Sequence, residues 1–147
     1  MQINVYLAGQ IHDDWRDTFR AHAVEIGLAV NFLAPMEVHE RSDNVGEDIL
    51  GVQPNPVMKD EVASMMNNLR TRVLVEKADV VIAYFDTSQY RQWNTAMDAG
   101  IAIGMGKPLI LVRDATKHHA LKEISNRAQV TVETPEQALQ ALQYIFE

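Results

Sequence analysis

The sequence lacks cysteine and has only 13 lysines and arginines against 20 acidic residues. Without cysteine the chain can form neither a disulfide framework nor a thiolate metal site. A net charge of −7 with no basic stripe argues against a nucleic-acid polymer as a partner. There is no apolar run long enough for a membrane span, and residues 1–4 lack the basic flank and apolar core of a signal peptide. We therefore expect a cytoplasmic protein without a membrane partner.

Motifs for cofactors and metals are also missing. The turn after the first apolar segment has neither the G-x-G-x-x-G pattern of a dinucleotide site nor the G-K-[ST] of a P-loop. The five histidines show no ligand spacing, and the adjacent His118 and His119 would point in different directions on a helix. We therefore expect neither a cofactor nor a metal, and the sequence disfavours a Rossmann dehydrogenase or a P-loop kinase.

What the sequence does contain is an alternation of short apolar segments with helical patterns. Its 147 residues, 47% apolar and 22% charged, suit one globular domain spanning residues 1–147. Short β-branched segments predict strands at residues 3–8, 28–33, 79–85, 108–112 and 129–132. Helical spacing predicts helices at residues 13–26, 60–77, 117–126 and 135–146, and another that follows the third strand and ends at residue 106. Residues 34–59 are polar without firm periodicity, which predicts a long loop.

This order predicts an α/β fold of the flavodoxin-like or Rossmann-like type. Five βα units in series form a doubly wound, five-stranded parallel sheet between two layers of helices. Ligands bind such sheets at the carboxyl ends of the strands, where the strand order reverses. The loops after Ala8 and Phe85 hold most of the polar side chains that a site there would need.

The loop after the first strand lies within the segment YLAGQIHDDW. Gly9 permits close approach of the backbone to a ligand, and Gln10 and His12 are polar candidates for binding it. The structural alternative is that Gly9 makes a turn and that Asp13 or Asp14 caps the following helix. The sequence leaves both interpretations open.

The loop after the third strand lies within the segment FDTSQYRQWNT. Asp86, at the carboxyl end of that strand, can bind sugar hydroxyls or cap a turn. Tyr90 and Trp93 can stack on a base or simply cover the end of the sheet. Asp79, at the opposite end of the strand, is expected to be structural.

Asp98 has two interpretations. Thr95 and Asp98 have the S/T-x-x-acid spacing of a capping box, which predicts a structural carboxylate. The same carboxylate would lie above the carboxyl edge of the sheet near a helix N-terminus, where an ionised oxygen is favoured and suits glycosyl chemistry. Tyr6, in the first strand, reads as a core aromatic whose hydroxyl needs a partner.

Three blocks carry a resemblance to a known family: VYLAGQ at the first strand, KADVVIAYFD at the third, and NTAMDAGIAIGMGKPLILV after it. They are similar to the nucleoside 2-deoxyribosyltransferase superfamily, which has a Y-L-A-G opening and a G-T-A-F-E-x-G-x-A helix before G-K-P. The segments YLAGQIHDDWR, QPNPVMKDEVASMMNNLRTRVLVEKADVV and QWNTAMDAGIAIGMGKPL resemble its YtoQ-type branch, over nearly the whole chain.

The resemblance implies roles for individual residues. The family's nucleophilic glutamate, eight residues before the glycine of G-K-P, corresponds to Asp98, and the tyrosine that orients it corresponds to Tyr6. Asp98 is one methylene shorter, so the substrate would sit closer to the helix. The family's acid six residues before the nucleophile corresponds to Gln92, which can hydrogen-bond a base but cannot protonate it. Another acid, such as Asp86, would have to serve, or the chemistry differs.

The leading hypothesis is an enzyme that cleaves or exchanges the N-glycosidic bond of a nucleoside or nucleotide through the Asp98 carboxylate, with Tyr6 orienting it. Substrate-binding residues would be Gly9, Gln10 and Asp86 around the sugar, Gln92, Trp93 and Asn94 at the base, and His12 in the first loop. One alternative is a binding module for nucleosides or nucleotides that has lost the chemistry. A third is a structural protein whose apparent site residues are caps and turns.

The resemblance also implies a homo-oligomer. The glycines and alanines of residues 96–104 and the methionines Met58, Met65 and Met66 are candidates for its interface, although core packing explains the same residues.

Overall fold

A five-stranded sheet organises the protein. The computed structural model describes residues 2–88 and 90–147, so Met1 and Gln89 lie outside it. The strands are β1 (Ile3–Ala8), β2 (Val30–Leu33), β3 (Val80–Phe85), β4 (Leu109–Arg113) and β5 (Val130–Val132). Their order across the sheet is β2-β1-β3-β4-β5, and each pairing is parallel. The predicted doubly wound sheet is confirmed.

Helices connect the strands. They are α1 (Trp15–Glu25), α2 (His39–Leu50), α3 (Pro56–Lys77), α4 (Trp93–Gly104), α5 (Lys122–Arg127) and α6 (Pro135–Tyr144). Two of them begin with a proline in the first turn and with a preceding side chain that accepts a hydrogen bond from the helix backbone. These N-cap residues are Asn55 for α3 and Thr134 for α6. Among the residues that the structure describes, no helix is both long and apolar enough to cross a membrane.

Alternation along the strands divides the core between the two faces of the sheet. In β1, Val5 and Leu7 pack with α1 and α6 on one face. Tyr6 and Ala8 point to the other face, where they pack with side chains of α3 and α4. The period of two therefore sends Tyr6 to the same side of the sheet as α4.

The prediction of a long loop at residues 34–59 is wrong, because this stretch contains α2. The sequence of α2, HERSDNVGEDIL, is mostly polar since the helix packs on α3 rather than on the sheet. Gly46 lies against the backbone of Val62 and Ala63, and Asn67 of α3 donates a hydrogen bond to the Ser42 carbonyl at 3.0 Å. A helix that covers another helix needs little apolar surface, and α2 has only three large apolar residues, Val45, Ile49 and Leu50.

The strand order places two loops side by side. β1 lies between β2 and β3. Ala8, the last residue of β1, pairs with Ala83, two residues before the end of β3. The chain leaves β1 toward β2 on one side, and leaves β3 toward β4 on the other. This is the reversal at which doubly wound sheets bind ligands, and there Gln10 contacts Asp86 and His12 contacts Tyr90.

The packing of α2 on α3 can be tested with Gly46→Ala. A Cβ at position 46 would lie 2.4 Å from the Val62 carbonyl carbon, so the two helix backbones must separate. We expect a loss of about 1–3 kcal/mol in the free energy of unfolding, measured by urea denaturation. In the control Gly100→Ala the new Cβ meets nothing within 4 Å, and we expect a gain of about 0.5–1 kcal/mol. Equal stability of the two variants would contradict this packing.

Candidate active site

The structure brings Tyr6 and Asp98 together, although 92 residues separate them. Tyr6 lies on β1 and Asp98 on α4, and the tyrosine O–H donates to Oδ2 of the carboxylate at 3.5 Å. This is long for an O–H···O hydrogen bond, as catalytic contacts without substrate often are. Tyr6 is 0% and Asp98 6% exposed. The carboxylate is therefore held out of water beside a single hydroxyl donor.

Burial changes the acidity of both groups. It raises the pKa of Asp98 from 3.8 to about 6, although the hydrogen bond from Tyr6 and the positive charge of Arg16 oppose the change. Burial and the charge of Asp98 raise the pKa of the Tyr6 hydroxyl far above its usual value. At neutral pH, Tyr6 is therefore a donor, and Asp98 is largely an ionised carboxylate with little hydration.

The capping-box interpretation of Asp98 is wrong. Helix α4 begins at Trp93, with Gln92 in the N-cap position, so Thr95 is inside the helix and Asp98 is in its second turn. The Thr95 hydroxyl accepts a hydrogen bond from the Gln92 side chain at 3.2 Å instead of capping the helix. Local helix chemistry therefore does not account for Asp98.

Asp86 and Gln10 join the two loops at the sheet edge. Gln10 Nε2 donates to Oδ2 of Asp86 at 3.0 Å, across the point where the strand order reverses. The other carboxylate oxygen accepts hydrogen bonds from the backbone N–H and the hydroxyl of Ser88. Asp86 is 7% exposed, and both of its carboxylate oxygens accept hydrogen bonds within the two loops. It is therefore a fixed polar group of the same edge as Asp98.

Gln92 holds the loop after β3. Its amide nitrogen donates to the carbonyl of Tyr84 at 2.9 Å and to the Thr95 hydroxyl, and its oxygen accepts from the backbone N–H of Asp86 at 3.1 Å. It is the one non-glycine residue with a positive φ among the described residues, at 55°. Such a conformation costs free energy and persists where the surroundings impose it. The structure thus uses the Gln92 amide to position Asp86 and the start of α4.

Arg16 is a site residue that the sequence reasoning missed. It is 2% exposed, and its guanidinium donates to the carbonyls of Leu7, Gly9 and Gln10. In the sequence it stands on the helix beside the apolar positions and resembles an ordinary surface residue, so no pattern signals its burial. At Gly9 a Cβ would lie 2.6 Å from the Trp15 ring, so packing on Trp15 already requires glycine there. The close approach of Gly9 to a ligand stays a prediction.

The remaining predicted residues lie on the loop after β1 and on the first turn of α4. His12 stacks on Tyr90, with ring centroids 4.5 Å apart, and its ring lies 5.3 Å from that of His39. Trp93 is 74% exposed and Asn94 is also exposed, both in the first turn of α4. These side chains are free to contact a ligand, but no contact brings them to Asp98 in this structure.

Two other acids have structural roles. Asp79 accepts a hydrogen bond from the backbone N–H of Asn4 at 2.8 Å, at the edge of the sheet opposite the site, as predicted. Asp13 accepts from the backbone N–H of Trp15 at 3.1 Å, whereas Asp14 makes no side-chain cap bond to α1. Of the two predicted caps, only Asp13 acts on the helix start.

A separate cavity of about 420 Å³ lies between α2 and α3. Apolar side chains dominate its lining, together with Arg41 and Arg70, and neither Asp98 nor Asp86 reaches it. Within residues 2–88 and 90–147, no group of three His, Asp or Glu side chains is arranged to hold a metal ion.

The buried carboxylate can be tested through stability. The pKa of Asp98 is 3.8 in the unfolded chain and about 6 in the folded protein, so its favourable contribution exists below pH 4 and is lost as the pH rises through 6. That difference corresponds to about 3 kcal/mol. We expect Asp98→Asn to raise the free energy of unfolding by up to about this amount at pH 8, with little gain at pH 4.

Urea denaturation at both pH values measures this effect. The control is Asp17→Asn, whose carboxylate is 80% exposed and whose replacement is expected to change stability by less than about 0.5 kcal/mol at either pH. A destabilised Asp98→Asn at pH 8 would show that the carboxylate is stabilised in the fold.

Comparison with proteins of known structure supports the fold. The crystal structure of a conserved protein from Enterococcus faecalis V583 superposes with a TM-score of 0.59 at 12% identity, covering 99% of both chains. The structure of the CMP N-glycosidase BcmB from Clostridium botulinum superposes with a TM-score of 0.53 at 15% identity, covering 97% of this chain and 98% of that one.

Sequence comparison identifies the family. The uncharacterized protein YtoQ of Bacillus subtilis (strain 168) is 56% identical over 147 residues, which cover 100% of this chain and 99% of that protein. The family model described as nucleoside 2-deoxyribosyltransferase YtoQ matches residues 6–146, and the chain therefore belongs to this YtoQ family.

Proposed function

We propose that the protein cleaves or exchanges the N-glycosidic bond of a nucleoside or nucleotide, with Asp98 as the nucleophile. The observation that carries the proposal is the contact between the Tyr6 hydroxyl and the Asp98 carboxylate at the carboxyl edge of the sheet. A buried carboxylate with a raised pKa and a single hydrogen-bond donor lowers the stability of the fold at neutral pH. Such a group is typical of a reacting residue.

The proposed reaction has two steps. An Asp98 oxygen attacks the anomeric carbon, an ester bond forms, and the C–N bond breaks with its electron pair moving to the base, which takes a proton from solvent or an acid. Water or a second base then attacks the same carbon and displaces the carboxylate. Hydrolysis and transfer differ only in this second acceptor.

The surrounding residues suit this substrate. Tyr6 fixes the direction of the carboxylate, and because its hydroxyl stays protonated it can donate throughout the reaction. Asp86 and Gln10 present fixed polar atoms for the sugar hydroxyls, beside the Gly9 backbone. Since the amide of Gln92 is bonded within the protein, we assign it to positioning and not to base recognition.

The aromatic side chains of the loops after β1 and β3, and of the first turn of α4, suit the base. We propose that Trp93 and Asn94, on the first turn of α4, and His12 with its stacked Tyr90 contact it, because exposed aromatic faces can stack on a heterocycle.

Family membership supports the reaction class, and the structural neighbour that is a CMP N-glycosidase supports nucleotides as substrates to try first. We further propose one domain that works in the cytoplasm. The alternative is a module that binds the same ligands without reacting. It is favoured because Gln92 stands where the family has an acid, and because its amide is hydrogen-bonded within the protein.

We also propose a homo-oligomer that forms through the face between α2 and α3. Along α3, Met65, Leu69 and Val73 are 59%, 62% and 46% exposed at a spacing of four residues. Of the other candidates, Ala99 and Ala102 of α4 are 0% exposed against the sheet, so they serve the core. The apolar face on α3 is the better candidate because a second copy would remove it from water.

Base release tests the reaction. The protein is incubated with nucleosides and nucleoside monophosphates, CMP included, with and without a second free base, and released base is measured by chromatography. We expect release or exchange that Asp98→Ala lowers by about 10³-fold or more. The exposed Asp17→Ala is the control and should retain full activity. Activity that survives in Asp98→Ala would rule out the nucleophile.

The pH profile and Tyr6 refine this test. Because Asp98 must be ionised to attack, kcat/KM should fall about tenfold per pH unit below pH 6 and level off above it. Tyr6→Phe should lower kcat about 10-fold to 100-fold, whereas Tyr144→Phe, at a residue 74% exposed, should not. A protein that releases no base, yet melts at a higher temperature with a ligand, is the binding module.

Sedimentation velocity tests the oligomer. We expect the wild type to sediment as an oligomer and Leu69→Glu to sediment as a monomer, because a carboxylate in an apolar interface loses its hydration. The control Val24→Glu changes a residue that is 77% exposed on α1, on the other face of the sheet, and should leave the oligomer intact. A monomeric wild type would refute the assembly.

A further inference from the structure

The chain that follows β4 leaves the sheet at the same carboxyl edge as the proposed active site, yet the proposed reaction uses none of its residues. Arg113, the last residue of β4, pairs with Phe85, the residue before Asp86. Residues 113–127 contain four lysines and arginines and two histidines against two acids, in a chain whose net charge is −7. This stretch is therefore a basic region of an acidic protein.

Arg113 is a half-buried cation without a matching acid. Its Nη2 contacts Nδ1 of His118 at 3.3 Å, and its Nε is buried with no hydrogen-bond partner among the described residues. Within residues 2–88 and 90–147, no carboxylate lies within 4.0 Å of it. The adjacent Asp114 accepts a hydrogen bond from the backbone N–H of Thr116 at 2.9 Å instead. The fold thus gives Arg113 neither a counter-ion nor a full set of acceptors, which is unfavourable for stability alone.

His118 connects this arginine to a surface cavity. Because a guanidinium has only donors, Nδ1 of His118 is the acceptor in their contact, and the neutral imidazole carries its proton on Nε2. His118 also lines a cavity of about 490 Å³ beside α5. Arg113 therefore fixes His118 as an N–H donor on the side of the ring away from the arginine.

The described lining of this cavity is polar throughout. It consists of His118 and five residues of α5, namely Lys122, Glu123, Ser125, Asn126 and Arg127. Its one acid, Glu123, lies 3.6 Å from Lys122. Arg127 donates to the Glu123 carbonyl at 3.2 Å, and no carboxylate of the described residues lies within 4.0 Å of its guanidinium. A concave site with three basic side chains and no apolar lining favours an anion that accepts several hydrogen bonds.

We propose that the cavity beside α5 binds a phosphate group, with His118, Lys122 and Arg127 as its donors and Arg113 behind His118. A phosphate monoester has three acceptor oxygens and about two negative charges, so it can meet three donors at once, whereas a carboxylate has only two oxygens. Its charge also offsets that of Arg113. The phosphate is either the free ion or part of a nucleotide, and the proposal does not depend on cleavage of an N-glycosidic bond.

NMR of the histidine rings tests this site. Long-range ¹H–¹⁵N spectra of the full chain are recorded at neutral pH while inorganic phosphate is added at constant ionic strength, and His118→Ala assigns the signals of His118. We expect the Nε2–H tautomer in the free protein and a saturable shift of His118 with phosphate. Chloride at the same ionic strength is the control and should cause no such shift.

Variants locate the donors. Arg127→Met removes a charged donor and should weaken the affinity for phosphate by about tenfold or more. Arg113→Met should also weaken it and should release His118 from the Nε2–H tautomer, which a change in stability alone would not do. Arg72→Met, at an arginine 66% exposed on α3, is the matched control and should change neither. If Arg113→Met gives no cooperative melting transition, Arg127→Met decides the proposal because Arg127 is exposed.

CMP and cytidine distinguish the sources of the phosphate. A shift of His118 with CMP but not with cytidine assigns the site to the phosphate of a nucleotide, whereas a shift with inorganic phosphate alone assigns it to the free ion. Release of the base leaves the phosphate group intact, so turnover does not obscure this comparison. No saturable shift with either phosphate compound, or an unchanged affinity in Arg127→Met, would overturn the proposal. None of these results bears on Asp98, so the proposed function is decided separately.

Discussion

The polar structure at the carboxyl edge of the sheet depends on one constraint, the exclusion of the Asp98 carboxylate from water. Helix α4 places this side chain against β1, where, among the residues that the structure describes, the hydroxyl of Tyr6 is its one hydrogen-bond partner. A carboxylate in such a place loses hydration that a single long hydrogen bond does not replace, which is why its pKa is raised. The hydrogen bond from Tyr6 and the positive charge of Arg16 oppose this rise without cancelling it.

Two further features of the same edge of the sheet lower the free energy of unfolding. Gln92 has a backbone conformation that favours glycine, and the buried Arg16 has no carboxylate within 4.0 Å in the part of the chain that the structure describes. Both are held by several hydrogen bonds each, and both fix loops that leave the sheet at its point of reversal. Strained backbone and buried charges are unfavourable for folding. When they occur together at one place and are held by polar contacts, they are characteristic of a functional site.

The sequence predicted the parts of the fold that bury apolar residues directly on the sheet. β3 is nearly all apolar because helices cover both of its faces, and this run is easy to recognise. Helix α2 escaped prediction because its partner is another helix, and its tight contact at Gly46 involves backbone rather than an apolar side chain. The start of α4 was misplaced, since Gln92 occupies the N-cap position in a left-handed conformation without a side-chain cap, and the capping-box spacing of Thr95 is coincidental.

The sequence by itself determined the layered α/β architecture, the two loops that meet at the sheet edge and, through the spacing of a known family, the pairing of Tyr6 with Asp98. The architecture and the loops follow from periodicity and residue type, which are local properties of the chain, whereas the pairing of Tyr6 with Asp98 was implied by the resemblance to the family. Only the tertiary structure decided that Asp98 is buried, that Gln92 is occupied within its loop, and that Arg16 is enclosed. Hydration and the distance to other charges depend on which elements pack together, so no local pattern records them.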